Sequence, residues 1–452
     1  MTATDSHRVR INSMKISAIR HVATLLAFFL TGLASAHASV LAPDRASVYL
    51  SPELQATANT ETPANLEFRK GVQALLGNRL AEAEPAFLKA RQLDPHFAAP
   101  LLGLADIALK KKQPDLVVKW LTAADQASPN SSQVKLAWGR YYRSQNKPDK
   151  AEAMLKQSIS LNPSATAYVE LSHLYVADLN KPDAAVLASE KAVALAPDNP
   201  VIHYALATSL AAAGRVDEAV RAFEQVTRLK PSDPAPWRAI GRLHAEKHRF
   251  NEAAKALDQA MQLQPGDAAI VADRGDVAVA LNKPDDAIRF YELATRQQPS
   301  SAILFSKLGL VYQVSKQASA AETAYLKALK LDPKLADVYN NLAWLMAGDS
   351  ARSADALKWA EKANLIAPNT PTYLDTLGWF QHLRGDDAKA IASLQKAIQL
   401  KPDLAEAHHH QGLIYAKQGK KTEAMVAFKR ALAINPNFTY SAEARKKLAE
   451  LK

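Results

Sequence analysis

Three consecutive histidines, His408, His409 and His410, are where residue type first suggests chemistry in this chain. Imidazole nitrogens ligate zinc and related ions, and His382 could add a further donor. On a helix, however, successive side chains point about 100° apart, so the three cannot converge on one ion. The expectation is a surface histidine cluster without a metal. Two tryptophans, Trp344 and Trp379, offer flat aromatic faces that suit peptide anchors and sugar rings alike. The chain has no glycine-rich phosphate loop, no H-E-x-x-H and no nucleophile elbow. It also has no cysteine, which removes disulfides, thiolate metal sites, thiol catalysis and an N-terminal lipid anchor. No catalytic residue, metal site or cofactor is assigned, and the chain is read as a non-enzyme.

The elements that position these side chains are announced by prolines. Pro95, Pro129, Pro163, Pro197, Pro231, Pro265, Pro299, Pro333, Pro368, Pro402 and Pro436 are separated by nine intervals of 34 residues and one of 35. That period is the signature of stacked helix–turn–helix units. With each proline at position 32, eleven repeats run from Ala64 to Phe438. Position 8 is Gly or Ala in ten of them, His173 being the exception, and position 20 is Ala in ten, with Val117 in the other. Small residues at fixed places let helices approach closely. Position 15 is Gly or Asn in seven repeats, among them Asn78, Gly214 and Gly385, as the left-handed end of a helix requires. Trp344 and Trp379 both fall at position 9 of consecutive repeats. Exposed there, they make an aromatic platform; packed between helices, they are core. The residues leave both readings open.

The pattern closely resembles the tetratricopeptide repeat family. In repeat 302–335, Phe305, Leu308, Gly309, Tyr312, Ala321, Tyr325, Ala328 and Pro333 stand at the consensus positions. The small residues at positions 8 and 20 set the chain apart from the related 35-residue RNA-binding helical repeats. The resemblance implies an all-α, right-handed α-solenoid of eleven helix–turn–helix repeats with a C-terminal capping helix. It also implies a ligand groove lined by first-helix positions 2, 5, 6, 9, 12 and 13. Candidate groove residues are therefore Tyr204, Arg238, Arg242, Ser306, Asn340, Asn341, Trp344, Asp375, Trp379, His382, His409 and His410. The Lys–Asn pair by which chaperone-binding members hold a C-terminal carboxylate is missing: positions 5 and 9 read Arg238/Arg242, Ser306/Leu310, Asn340/Trp344 and Asp375/Trp379. The asparagine ladder of sugar-transferring relatives is missing too. The segment from Asn340 to Trp379 resembles repeats of bacterial envelope proteins tied to exopolysaccharide production, export and the associated protein sorting. It also contains the one extra residue of the array, near Gly348–Ser353.

Residues 14–38 read as an address. Lys15 and Arg20 give a basic lead, Val22 to Leu33 is mostly apolar, and Ala36-His37-Ala38 offers a signal-peptidase site. Residues 1–38 are expected to be a signal peptide cleaved after Ala38, with Met14 an alternative start. Residues 39–63, with Pro43, Pro52 and Pro63, read as a flexible lead, and 439–452 as a charged capping helix with Leu448 and Leu451 on one face. The net charge of +11, from 56 Lys and Arg against 45 Asp and Glu, spreads thinly over such a length and reads as an ordinary mixed surface.

The expected protein is an exported scaffold, periplasmic or secreted, that binds a protein or peptide partner in the groove of an envelope complex. No nucleic acid partner and no membrane span in the mature chain are expected. A carbohydrate-binding module for an exopolysaccharide, using the two tryptophans, is one alternative. A non-catalytic subunit of an enzyme complex is the other.

Overall fold

The computed structural model describes residues 49–50, 62–347 and 352–451. The expected signal peptide and most of the expected lead segment lie outside the described residues, as does the turn at 348–351. Among the described residues there are 23 α-helices and no strand. The chain divides into two compact units, one ending at Leu243 and the other beginning at His244.

Helices of the N-terminal unit are α1 (Pro63–Leu76), α2 (Leu80–Leu93), α3 (Ala98–Lys110), α4 (Pro114–Ala127), α5 (Ser132–Ser144), α6 (Pro148–Leu161), α7 (Ala165–Ala177), α8 (Pro182–Leu195), α9 (Pro200–Ala212) and α10 (Val216–Leu229). The unit boundary falls within α11 (Pro234–Glu246). Then come α12 (Phe250–Leu263), α13 (Ala268–Ala280), α14 (Pro284–Gln297), α15 (Ala302–Val314), α16 (Ala318–Leu331), α17 (Ala336–Met346), α18 (Ser353–Ile366), α19 (Pro371–Leu383), α20 (Asp387–Leu400), α21 (Ala405–Lys417), α22 (Lys421–Ile434) and α23 (Ser441–Glu450). Each unit is an all-α stack of antiparallel helical pairs, and α23 follows the last pair.

The repeated prolines and small residues explain this regularity. Helix α2 stops at Leu93, and Asp94 before Pro95 is extended at φ −143°, since proline bars its predecessor from helical geometry. Pro148, Pro182 and Pro284 open α6, α8 and α14, where a missing N–H is harmless. Position 8 is small because position 24 of the same repeat lies on it. A Cβ added to Gly309 would stand 2.5 Å from Cδ1 of buried Tyr325, and one on Gly275 2.8 Å from the Tyr291 ring. Where position 8 is instead His173, position 24 is the small, fully buried Ser189.

Ten described turns place a residue at positive φ, and three of these carry neither Gly nor Asn: Lys112, His248 and Lys316. The turn closes by main-chain bonds, such as Gln317 N–H to Tyr312 C=O at 2.8 Å, whichever residue sits there. Packing of the flanking helices thus imposes the left-handed conformation on side chains that disfavour it. Lys316, exposed at φ 61°, is the cleanest test. Lys316→Gly should raise stability by about 0.5–1 kcal/mol. A denaturant midpoint that fell in this variant would show that Lys316 carries an interaction worth more than the strain.

The lead segment departs from expectation where it is described. Tyr49 and Leu50 are buried against the first repeats rather than loose, because their main chain and side chains both find partners there. At the other end Leu448 and Leu451 pack on a cluster containing Phe428, Phe438 and Tyr440, which covers the last hydrophobic edge. No helix among the described residues is long and apolar enough to cross a membrane.

Candidate functional site

The candidate groove residues all project from first helices of the repeats. Ser306 lies on α15, and Asn340, Asn341 and Trp344 on α17. Asp375, Trp379 and His382 lie on α19, His409 and His410 on α21, Tyr204 on α9, and Arg238 and Arg242 on α11. Eight of the twelve are buried: Arg242, Ser306, Asn340, Asn341, Trp344, Asp375, His409 and His410. Tyr204, Arg238, Trp379 and His382 keep partial exposure. Consecutive first helices approach closely enough at positions 5, 6 and 9 that these side chains bridge repeats.

In the C-terminal unit this bridging forms one aromatic and polar network. Trp344 Nε1–H donates to Thr376 Oγ1 at 2.9 Å across to the next repeat. Its ring meets Phe380 edge-on, with centroids 5.6 Å apart. The platform of two exposed indoles is therefore not formed: Trp344 is core, and Trp379 alone presents part of its surface. The other face of Trp379 stacks on His410 at 4.6 Å. His410 Nδ1 lies 2.7 Å from Asp375 Oδ1, both side chains buried. His382 Nδ1 lies 2.6 Å from Asp387 Oδ1, and Lys417 Nζ is 3.2 Å from that carboxylate's Oδ2. His410 Nε2 of this network is buried with no hydrogen-bond partner, and so is Asn340 Oδ1 on α17.

The histidine run needs correction. His409 and His410 are not a surface cluster; they are 0 % and 1 % exposed. The capping region closes over them: His409 stacks on Tyr440 at 4.9 Å and 7°, and touches Phe428 and Phe438. His408 alone is half-buried and reaches the Pro402 carbonyl at 3.1 Å. Among the described residues no three His, Cys, Asp or Glu side chains are grouped as a metal site.

Burial makes the end of the chain acid-sensitive. The His409 imidazole is held below its ordinary value by desolvation, only partly opposed by Glu443 on α23, with His410 adding to the depression and Asp375 opposing it. His409 Nε2 lies 3.4 Å from Glu443 Oε2, without the alignment of a hydrogen bond. Burial depresses His382 and His408 as well. Below pH 6.5, the usual histidine value, the unfolded chain takes up a proton at residue 409 that the folded chain resists. Stability is therefore full above that pH and falls as acid is added, by about 1.4 kcal/mol per pH unit per such group, until the folded value is reached. Hydrogen exchange of α23 between pH 7 and pH 5 reads this directly. A profile equally steep in His409→Leu would remove His409 as the cause.

In the N-terminal unit, Tyr204, Arg238 and Arg242 line a cavity of about 100 Å³ whose other walls include Val176, Phe223 and Leu243. Tyr204 packs edge-on against Phe223 at 5.0 Å. Burial pushes its phenol up to about 12, Asp233 adding to the rise while Arg238 and Arg242 oppose it. The three side chains assigned to the groove from their repeat positions thus share one hollow.

Three residues at first-helix positions 5 and 9 escaped the sequence reading. Asp106 on α3 and Arg140 on α5 stand at position 9, Glu170 on α7 at position 5, and all three are buried. Their positions were a usable signal; their burial was not legible, because charged residues at such places ordinarily face water.

The comparisons agree with this architecture. Tetratricopeptide repeat profiles match residues 69–132 and 136–200, 176–243 and 244–308, 304–335, 324–358, 382–419 and 405–438. No curated protein matches the chain. Among solved structures, YrrB, a TPR protein described as having an unusual peptide-binding site, aligns with 43% of this chain and 99% of its own at 21% identity and a TM-score of 0.35. Yeast Tom70 aligns with 86% of this chain and 95% of its own, at 16% identity and 0.41. The APC/C hetero-tetramer Cut9–Hcn1 aligns with 90% and 100%, at 14% identity and 0.45. At these identities and fits the likeness carries no argument about function. The repeat profiles, which together span most of the chain, and the helical pairs built on the same period place this protein in the tetratricopeptide repeat family.

Proposed function

We propose that this protein is a non-enzymatic scaffold of a bacterial envelope complex, exported by its N-terminal segment and binding a protein partner along the first helices of its repeats. The observation that carries the binding half is the shared hollow of Tyr204, Arg238 and Arg242, with apolar walls and polar tips at repeat positions 5 and 9. Such a makeup suits a side-chain anchor of a bound peptide. In the C-terminal unit, the part-exposed Trp379 and His382 are a separate candidate contact. Support for export comes from the basic lead, apolar run and Ala36-His37-Ala38. Support for an exopolysaccharide setting comes from the resemblance of residues 340–379 to envelope repeats.

The test joins fractionation with capture. The mature protein should start at or near Ser39 and co-purify with an envelope partner. Tyr204→Ala and Arg238→Ala, each melting as the parent does, should reduce capture at least tenfold, whereas Leu187→Ala, on the exposed surface of α8, should not. Residues 14–33 found in the mature chain would sink the export half. Undiminished capture by both cavity variants would sink the binding half.

A further inference from the structure

Asp106 sits on α3 at 1 % exposure, where a carboxylate needs compensating donors. Its Oδ1 accepts the Tyr49 main-chain N–H at 2.9 Å and its Oδ2 the Leu50 N–H at 3.2 Å. Two consecutive peptide groups of a segment more than fifty residues away in sequence thus dock on one side chain. The side chains of Tyr49 and Leu50 are buried in the same apolar cluster as Phe68, Leu102, Ala105, Val134 and Ala137, with Trp138 and Tyr141 at its edge.

This geometry separates two kinds of recognition. To the segment the carboxylate offers bonds to two main-chain N–H groups, which any extended peptide supplies. Selectivity must come from the apolar surroundings, which accept an aromatic side chain followed by an aliphatic one. In sequence the occupant is joined to α1 by residues 51–62, twelve residues that can span at most on the order of 40 Å. Leaving the site therefore requires no repeat to unfold.

We propose that the first-helix surface around Asp106 is a peptide-binding site, that Tyr49–Leu50 is its tethered resident, and that an extended peptide of another chain bearing an aromatic–aliphatic pair displaces it. A ligand on a short tether acts at an effective concentration on the order of millimolar, so the resident suppresses weak competitors and yields to strong ones. The inference rests on the reading that these repeats take a peptide, but it concerns helices α3 and α5 rather than the Tyr204 hollow. Failure here with capture intact at Tyr204 and Arg238 would leave the proposed function standing.

The experiment uses the full chain and a fluorescent peptide of residues 44–54. The variant Tyr49→Gly/Leu50→Gly should bind this probe at least tenfold more tightly than the parent. Adding Asp106→Asn should remove at least tenfold of that affinity, and a probe with its Tyr and Leu replaced by Ser should not bind. A folded double-glycine variant that ignores the probe, or binds it regardless of Asp106, overturns the proposal. Hydrogen exchange on the unmodified protein guards against misfolding of the variants. The Tyr49 and Leu50 amides should exchange at least tenfold faster than the central amides of α3. Exchange at the same rate would make the segment a fixed part of the fold and overturn the proposal equally.

Discussion

Trp344→Ala should destabilise the C-terminal unit by about 3–5 kcal/mol, the range for truncating a large buried ring. The indole is 9 % exposed and lies in a cluster with Leu342, Met346, Ala360 and Phe380. Its removal opens a cavity and deletes the Nε1–H bond to Thr376. Thr376 still donates to the Thr372 carbonyl at 2.9 Å, so the hydroxyl keeps a partner and the ring itself dominates the loss. Trp344→Phe should recover most of the packing and cost about 1 kcal/mol for the missing hydrogen bond. Thermal melts of the two variants and of Trp379→Ala decide the matter. Trp379 keeps an exposed side, so its truncation should cost less stability than that of Trp344. Equal melting of Trp344→Ala and the parent would restore the exposed-platform reading.

Glu170→Ala should cost the N-terminal unit a similar amount, about 3–5 kcal/mol. Arg140 Nε stands 2.9 Å from Glu170 Oε1, and both side chains are 6 % exposed. Arg143 Nη1 lies 3.9 Å from the other carboxylate oxygen while its Nε bonds Asp178 at 2.7 Å. Removing the carboxylate takes from the buried Arg140 guanidinium the anion it meets at 2.9 Å. The pair as a whole is a different matter: Arg140→Met/Glu170→Leu should lie near the parent, because burying two charges offsets most of their attraction. A double-mutant cycle by denaturant unfolding measures the coupling. Glu170→Ala with unchanged stability would mean that water or another side chain already screens Arg140.

Most of the architecture was legible because it repeats. Proline at position 32, a small residue at position 8 and Gly or Asn at position 15 each answer a local backbone or steric demand, and their recurrence in eleven, ten and seven of the repeats raises the signal above chance. Gly309 under Tyr325 shows the logic in one contact. Lys316 shows its limit, since there the fold imposes a conformation that the residue type does not announce. The candidate site was legible only in part. Tyr204, Arg238 and Arg242, grouped by repeat position, line one hollow. Repeat position could not separate a groove-facing side chain from one that bridges repeats, and so Trp344, Asp375 and His410 were named for contact but serve as packing.

The helical pair, its turns and its period could be read from residue types alone, because they depend on residues near each other in the chain. Where the long-range partners meet emerged with the folded chain. His409 is buried because Phe438 and Tyr440 come from beyond the last repeat to cover it. Asp106 accepts two main-chain N–H groups because Tyr49 and Leu50 return from ahead of the first. Burial of a polar group is set by whatever distant segment closes over it, and no periodicity records that segment's arrival.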